Sequence, residues 1–297
     1  MKRLTKGAIL FSGLVFFALL SCKNSDHKAD STSGEPTLQK NQVEHLEKPY
    51  VILVSIDGYR FDYTEKFAPP AITEISRRGV RAQSLQPVFP SSTFPNHYSI
   101  VTGRYSSNHG IVANHFYDPD LKDTYSLSNP NAVTNSKWYD GDPLWVVAER
   151  SGMLSASYFW VGSEAKINGF RPTYVKRYNH GTPNFARVAK VIEWLKLPPE
   201  QRPHFITLYF SSVDSAGHKF GTESYQLREE VDDIDGNLKK LTEQLDQLGL
   251  PINVFVVSDH GMQNLSSTKV EYLSDYISTR GINEADYSGA VIKLHID

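Results

Sequence analysis

The stretch FPSSTFPNHYSIVTG, residues 89–103, places Pro90, Ser91, Ser92, Thr93 and Pro95 in a tight turn that runs directly into an apolar, helix-like segment. A hydroxyl in that position does one of two things. It caps the helix by accepting a hydrogen bond from a free N–H of the first turn, or it stands beside those N–H groups where the dipole favours an anion such as phosphate. The stretch alone leaves both open. Three other places carry groups suited to chemistry: YVILVSID ends at Asp57, HFITLYFSSVD at Asp214 and INVFVVSD at Asp259. His260 directly follows Asp259, and His218 lies four residues beyond Asp214 in DSAGHKFG. Aspartate and histidine without cysteine suit a borderline cation such as zinc, whereas calcium and magnesium favour all-oxygen shells. Each pair taken singly also reads as a surface turn, because matches this short recur by chance.

These groups need elements to hold them. Beyond its N-terminal region the chain alternates short apolar, β-rich runs with helical segments, the pattern of an α/β domain with a mainly parallel sheet and helices on both faces. Strands are predicted at 50–56, 80–86, 153–159, 205–211, 252–258 and 290–295, and helices at 71–78, 95–102, 143–151, 183–196 and 223–248. The fourth helix takes Thr182 as its cap and Pro183 as its first residue. The runs leading to the three aspartates are rich in Val, Ile, Leu and Phe, as strands buried on both faces are. A carboxylate at the carboxyl end of such a strand sits where ligands bind in open α/β sheets. Three of them in one crevice repel each other unless cations lie between them.

At 297 residues, 40% hydrophobic and 22% charged, the chain has an ordinary globular composition and length enough for one large domain or two modest ones. A net charge of −2 gives no reason to expect a nucleic-acid partner. The N-terminus MKRLTKGAILFSGLVFFALLSC has a basic start, an apolar run from Ala8 to Leu20 and a small residue before a cysteine. That is secretory signal architecture rather than a spanning helix, and LLSC resembles the bacterial lipobox. Residues 1–21 therefore read as a signal peptide, with Cys22 as the lipidated anchor. Cys22 is the only cysteine, so the folded part has no disulfide and no thiolate metal site. Residues 22–47 read as a polar, flexible tether, and 48–297 as the catalytic domain.

Taken together, VILVSIDGYRFDY, FPSSTFPNHYSIVTGRYSSNHGIVANHFYDP, YFWVGSEAKING, YFSSVDSAGHKFG and VFVVSDHGM resemble, in order and spacing, the nucleotide pyrophosphatase/phosphodiesterase family of the alkaline phosphatase superfamily. The resemblance covers roughly residues 48–297. It implies a two-zinc site that cleaves phosphodiester and pyrophosphate bonds through a covalent phosphothreonine, releasing a nucleoside monophosphate. By the same resemblance, Asp57, Asp259 and His260 are ligands of one zinc, with Thr93 as nucleophile and exchangeable ligand. Asp214 and His218 are ligands of the second. Asn114 resembles the asparagine that donates to a phosphoryl oxygen, Phe94 and Tyr178 the aromatics that sandwich a base, and Trp160 a wall of that pocket. Tyr174 competes with Tyr178 for its role. A threonine hydroxyl is a poor nucleophile, and metal coordination is a means of deprotonating it.

The family also supplies a histidine to the second zinc, downstream of SDHGM. His295 is the only histidine after His260, lacks the family's surrounding motif and reads as a strand residue, so the expectation is a fragment of a longer protein. Val161 stands where relatives often carry proline. A phosphomonoesterase of the same superfamily is the nearest alternative and would need extra cations, for which Lys176 and Arg177 are available; a sulfatase is excluded because SSTFPN has no arginine and Cys22 is distant. A surface-anchored binding protein without turnover is the alternative from another class. The expected location is the cell envelope, facing the periplasm or exterior, with the membrane held through the lipid anchor. Choline-phosphate and lysophospholipid diesters stay open as substrates beside nucleotides.

Overall fold

Residues 40–266, 268–278, 280, 282–288 and 291–296 are described by a computed structural model. The leader, Cys22 and the tether up to residue 39 lie outside them. The strands are β1 (Tyr50–Ile56), β2 (His115–Asp118), β3 (Asp123–Ser126), β4 (Ser155–Tyr158), β5 (Tyr174–Lys176), β6 (Phe205–Phe210), β7 (Ile252–Val257), β8 (Ile282–Ser288) and β9 (Val291–Ile296). The helices are α1 (Tyr63–Phe67), α2 (Pro70–Arg78), α3 (Thr93–Thr102), α4 (Ser106–His109), α5 (Pro130–Val133), α6 (Leu144–Arg150), α7 (Asn184–Leu195), α8 (Ser212–Phe220) and α9 (Tyr225–Leu248).

A parallel sheet of order β5-β4-β6-β1-β7 forms the frame. Its central strand β1 has β6 and β7 as neighbours, so the three chain segments carrying Asp57, Asp214 and Asp259 leave the sheet side by side at one end. One face buries Ile52, Val54, Ile56, Ile206, Leu208 and Phe210 against residues of α7, α8 and α9. The other face packs Leu53 and Phe205 against an aromatic-rich cluster that includes Tyr98, Trp138, Trp145 and Trp160. Helix α9 shows why the sequence folds this way: Leu227, Val231, Ile234, Leu238, Leu241 and Leu245 recur every three or four residues and are all buried. Each contributes on the order of 2 kcal/mol by removal from water. Ser224 caps its start by accepting the Leu227 N–H, and Gly249 ends it in the left-handed conformation.

Several boundaries differ from the sequence reading. The predicted helix 223–248 is preceded by a separate helix, α8, which the glycines of DSAGHKFG masked. The predicted strand 80–86 does not form: those residues are exposed, and Arg81 is drawn to Glu65 and the Phe61 carbonyl rather than into a ladder. Without a neighbouring strand, its weak alternation has nothing to pair with. Pro183 occupies the cap position of α7, and Thr182 instead offers its carbonyl to the Arg187 guanidinium. The run at 290–295 is strand β9, hairpinned to β8, and His295 lies on it opposite Glu284. The domain also starts before Lys48. Asn41 is buried, donates to the Pro199 and Arg202 carbonyls at 2.8 and 2.7 Å and accepts the Leu154 N–H, so the last tether residues are docked.

Helix α2 begins with Pro69 and Pro70, which offer no side-chain acceptor for its first-turn donors. Asp235 of α9 reaches across and accepts the N–H groups of Ala71 and Ile72 at 3.0 and 2.8 Å. Asp235→Ala leaves two buried donors without partners and is expected to cost about 2 kcal/mol, with Asp235→Asn costing less. Urea unfolding measures this as a lowered midpoint at constant slope; an unchanged midpoint in Asp235→Ala would remove the interhelix cap from the account.

Candidate functional site

The site is built at the carboxyl end of β1, β6 and β7. Asp57 directly follows β1 and is fully buried. Asp259 lies two residues beyond β7, also buried, and Asp214 is the third residue of α8. Gly58, at φ +69°, turns the chain away from β1, and a Cβ there would stand 3.0 Å from the Asp214 Cα and Cβ. Only glycine lets the Asp57 loop lie this close to Asp214.

His260 joins these carboxylates. Its Nε2 lies 3.2 Å from Asp259 Oδ2, 3.6 Å from Asp57 Oδ1 and 3.2 Å from the Thr93 hydroxyl. His218, one turn after Asp214 on α8, brings its Nε2 to 3.4 Å from Asp214 Oδ1. All six residues read as metal-linked are thus gathered in one place. Asp57, Asp214 and His260 can each turn one ligand atom to within 4.8 Å of the others.

Among the described residues, Asp57 Oδ1, Asp214 Oδ1 and Asp259 Oδ2 are buried without a hydrogen-bond donor. Burial, then the charges of Asp259 and Asp214, push the Asp57 carboxyl well above its ordinary range. Burial likewise raises Asp214, against the pull of His218 and His260. Burial pushes Asp259 up as well, but His97, His260 and the Gly58 N–H together hold it below the usual carboxylate range. Orphaned carboxylate oxygens facing two imidazoles form a donor set that fits a divalent cation, whose charge would remove the repulsion.

The turn at residues 88–92 is held by a residue the sequence reading passed over. Asn96, buried on α3, accepts the Val88 N–H at 2.7 Å and donates to the carbonyls of Pro90 and Ser92 at 3.0 Å. Thr93 is the first residue of α3, and Ser92 before it takes the cap position without a side-chain cap bond. The cap is supplied from a distance: Asn114 Oδ1 accepts the Phe94 N–H at 2.9 Å. That bond fixes the amide's orientation, because an N–H needs the oxygen, and it leaves the Asn114 NH2 as the group able to donate to a ligand. The Thr93 hydroxyl is therefore not a cap.

Two further residues were not singled out from sequence. His97, one helical turn after Thr93, is fully buried, with Nδ1 2.8 Å from the Thr93 carbonyl and 3.3 Å from Asp259 Oδ2. Its Nε2 meets the Ser55 hydroxyl at 2.8 Å, and because the Thr93 carbonyl can only accept, Nδ1 donates to it. Tyr209, next to last in β6, donates its hydroxyl to Asp57 Oδ2 at 2.5 Å. Burial and the Asp57 charge push this phenol well above its normal range, so it keeps its proton. For Tyr209 the signal was the two-residue alternation Ser55-x-Asp57 and Thr207-x-Tyr209, which puts polar side chains on one sheet face among apolar strands.

The aromatic assignments divide. Tyr178 is partly exposed and meets Phe159 at 4.7 Å and Tyr209 at 5.9 Å between ring centroids. Tyr174 is tied to the Gln201 carbonyl and stacks on Trp194, which removes it as a competitor. Trp160 is not a wall of an open pocket: it is fully buried and donates its indole N–H to the His97 carbonyl at 2.8 Å. Phe159, held at φ +57°, takes the place beside Tyr178. Phe94 packs on Tyr125, and among the described residues no ring contact joins it to Tyr178. Val161 is buried in the same cluster as Trp160. Arg177 is exposed and faces Glu164 at 3.7 Å, and Lys176 is exposed on β5.

A model of the family described as type I phosphodiesterase / nucleotide pyrophosphatase matches residues 51–297. The chain is 41% identical over 255 residues to a venom phosphodiesterase of Naja atra, covering 84% of this chain and 30% of that protein. It is 40% identical over 236 residues to human ectonucleotide pyrophosphatase/phosphodiesterase family member 1, covering 78% of this chain and 25% of that protein. The chain thus spans less than a third of the length of these relatives. Among solved structures it is similar to murine ectonucleotide pyrophosphatase/phosphodiesterase 5, in an inactive threonine-to-alanine form with AMP. The TM-score is 0.73 at 34% identity, over 79% of this chain and 63% of that one.

The raised carboxyls set a pH-dependent response to metal removal. Asp57 and Asp214 bind protons more readily folded than unfolded, so in the metal-free protein these two groups add stability as pH falls from 7 toward the ordinary carboxylate range of about 4, while buried His109 and His204, held below the usual imidazole range, oppose it with or without metal. Bound metal needs the two carboxyls deprotonated and stabilises most at the upper end. Thermal unfolding with and without chelator is expected to show a large difference in Tm at pH 7 that narrows with acidification; a difference independent of pH would contradict this reading.

Proposed function

The chain belongs to the type I phosphodiesterase / nucleotide pyrophosphatase family, and from that membership we propose that it hydrolyses phosphodiester and pyrophosphate bonds of nucleotides at a two-zinc site. The observation that carries the reading is the Thr93 hydroxyl, 3.2 Å from His260 Nε2 and beside carboxylate oxygens that lack donors. Asp57, Asp259 and His260 would hold one ion beside Thr93, and Asp214 and His218 the other. When bound, the ions lower the pKa of the threonine hydroxyl and offset charge on the attacking and leaving oxygens of an in-line displacement.

The remaining steps fall to the chain's own groups. Thr93 Oγ attacks phosphorus while the leaving oxygen departs on the opposite side, giving a phosphothreonine that water then hydrolyses. Asn114, fixed by the Phe94 N–H, directs its NH2 at a non-bridging phosphoryl oxygen. Tyr178, backed by Phe159, offers the exposed ring on which a base stacks. The relative captured with AMP, inactive once a threonine is replaced by alanine, supports both a threonine nucleophile and a nucleotide substrate. The N-terminal pattern supports export and anchoring through Cys22 at the cell envelope.

The test is hydrolysis of bis-4-nitrophenyl phosphate beside 4-nitrophenyl phosphate after chelation and zinc add-back. Zinc-dependent turnover favouring the diester is expected; preference for the monoester would favour the phosphatase alternative. Thr93→Ala should abolish turnover with zinc content unchanged, and retained turnover would remove Thr93 from the mechanism. Asn114→Ala should lower kcat by roughly two to three orders of magnitude, as loss of an oxyanion donor does; a change in KM alone would contradict that role.

A further inference from the structure

Tyr209 has no part in binding or chemistry as described so far, yet its hydroxyl and ring meet Asp57, His97, Phe159 and Tyr178. The register pairs it with Ser55, so its ring stands on the same sheet face as Asp57. Its hydroxyl donates to Asp57 Oδ2 at 2.5 Å, within the range of charge-assisted O–H···O bonds. The other carboxylate oxygen, Oδ1, faces His260 Nε2 at 3.6 Å and has no donor among the described residues. The Tyr209 ring cannot swing away. His97, Phe159 and Tyr178 meet it nearly edge-on, at centroid distances of 5.2, 5.3 and 5.9 Å.

An aspartate with both oxygens unrestrained can rotate and chelate a cation through either or both. We infer that Tyr209 is a positioning residue that ties down Asp57 Oδ2 and makes Asp57 a one-oxygen ligand through Oδ1. The inference rests on the metal-site reading above. It assigns Tyr209 a coupling role as well: the same ring abuts Tyr178, so one side chain sets the angle of a metal ligand and backs the aromatic platform. A purely structural tyrosine would behave differently, because its loss would weaken packing without altering how Asp57 meets a cation.

Tyr209→Phe in the full chain separates the two, since phenylalanine keeps the ring and removes only the hydroxyl. Zinc affinity, measured by competition with a chromophoric chelator, is expected to weaken about 10- to 100-fold, the range for loss of a group that orients a metal ligand. The visible spectrum of the cobalt-substituted protein should change as Oδ2 gains access to the ion. KM for a nucleotide substrate should hold while kcat falls, because the ring behind Tyr178 is retained. Unchanged zinc affinity or an unchanged cobalt spectrum, with only a lower Tm, overturns the inference and leaves Tyr209 as core packing. Failure of the unsubstituted protein to bind zinc overturns the metal-site reading itself, and the inference with it.

Discussion

Mutual repulsion among three carboxylates, those of Asp57 and Asp259 buried and that of Asp214 half-buried, governs this structure. Asp57 can bring an oxygen within 4.8 Å of Asp214 and of Asp259, and two like charges at that separation repel by roughly 3 kcal/mol at an effective dielectric constant of about 20. A fold whose stability is a small difference of large terms does not carry such a cluster without return. The parallel sheet creates the problem, because it delivers β1, β6 and β7 to the same end. A bound divalent cation would resolve it. The orphaned oxygens, the imidazoles of His218 and His260 and the hydroxyl of Thr93 are what such an ion would meet.

Around that centre the protein uses amides, an imidazole and a phenol to fix the acidic groups and the segment that carries the Thr93 hydroxyl. Asn96 ties the turn before Thr93, and Asn114 caps the helix that Thr93 opens. His97 links the Thr93 carbonyl, Asp259 and Ser55, while Tyr209 holds the far oxygen of Asp57. The constraint in the Pro- and Ser-rich turn thus has a physical purpose. A hydroxyl that must be aimed within a fraction of an ångström needs a backbone with little freedom, since misplacement by about 1 Å costs about two orders of magnitude in rate.

Much of this was legible in sequence, and the illegible parts share a cause. The apolar run ending in Asp57 marks the buried strand β1 as read, whereas the run ending in Asp259 forms β7, whose Asn253 and Phe255 are exposed. Helix α8 itself was hidden because Gly217 and Gly221 read as loop, although packing against α9 holds it. His97 and Tyr209 went unread because an aromatic or histidine among apolar residues is ordinarily core; the register of β1 against β6 shows that Tyr209 shares a face with Asp57, and the packing of α3 brings His97 to Asp259. Trp160, placed in the pocket wall by the resemblance, is instead fully buried with its indole N–H on the His97 carbonyl, because the resemblance does not say which way an indole points. Residues 80–86 alternate like a strand, but a strand exists only with a neighbour.

The most direct test is anomalous diffraction at the zinc absorption edge from crystals grown with zinc. The account predicts two peaks, one among Asp57, Asp259, His260 and the Thr93 hydroxyl, the other beside Asp214 and His218. An absence of ordered zinc at these carboxylates, or zinc bound only elsewhere on the surface, would contradict it.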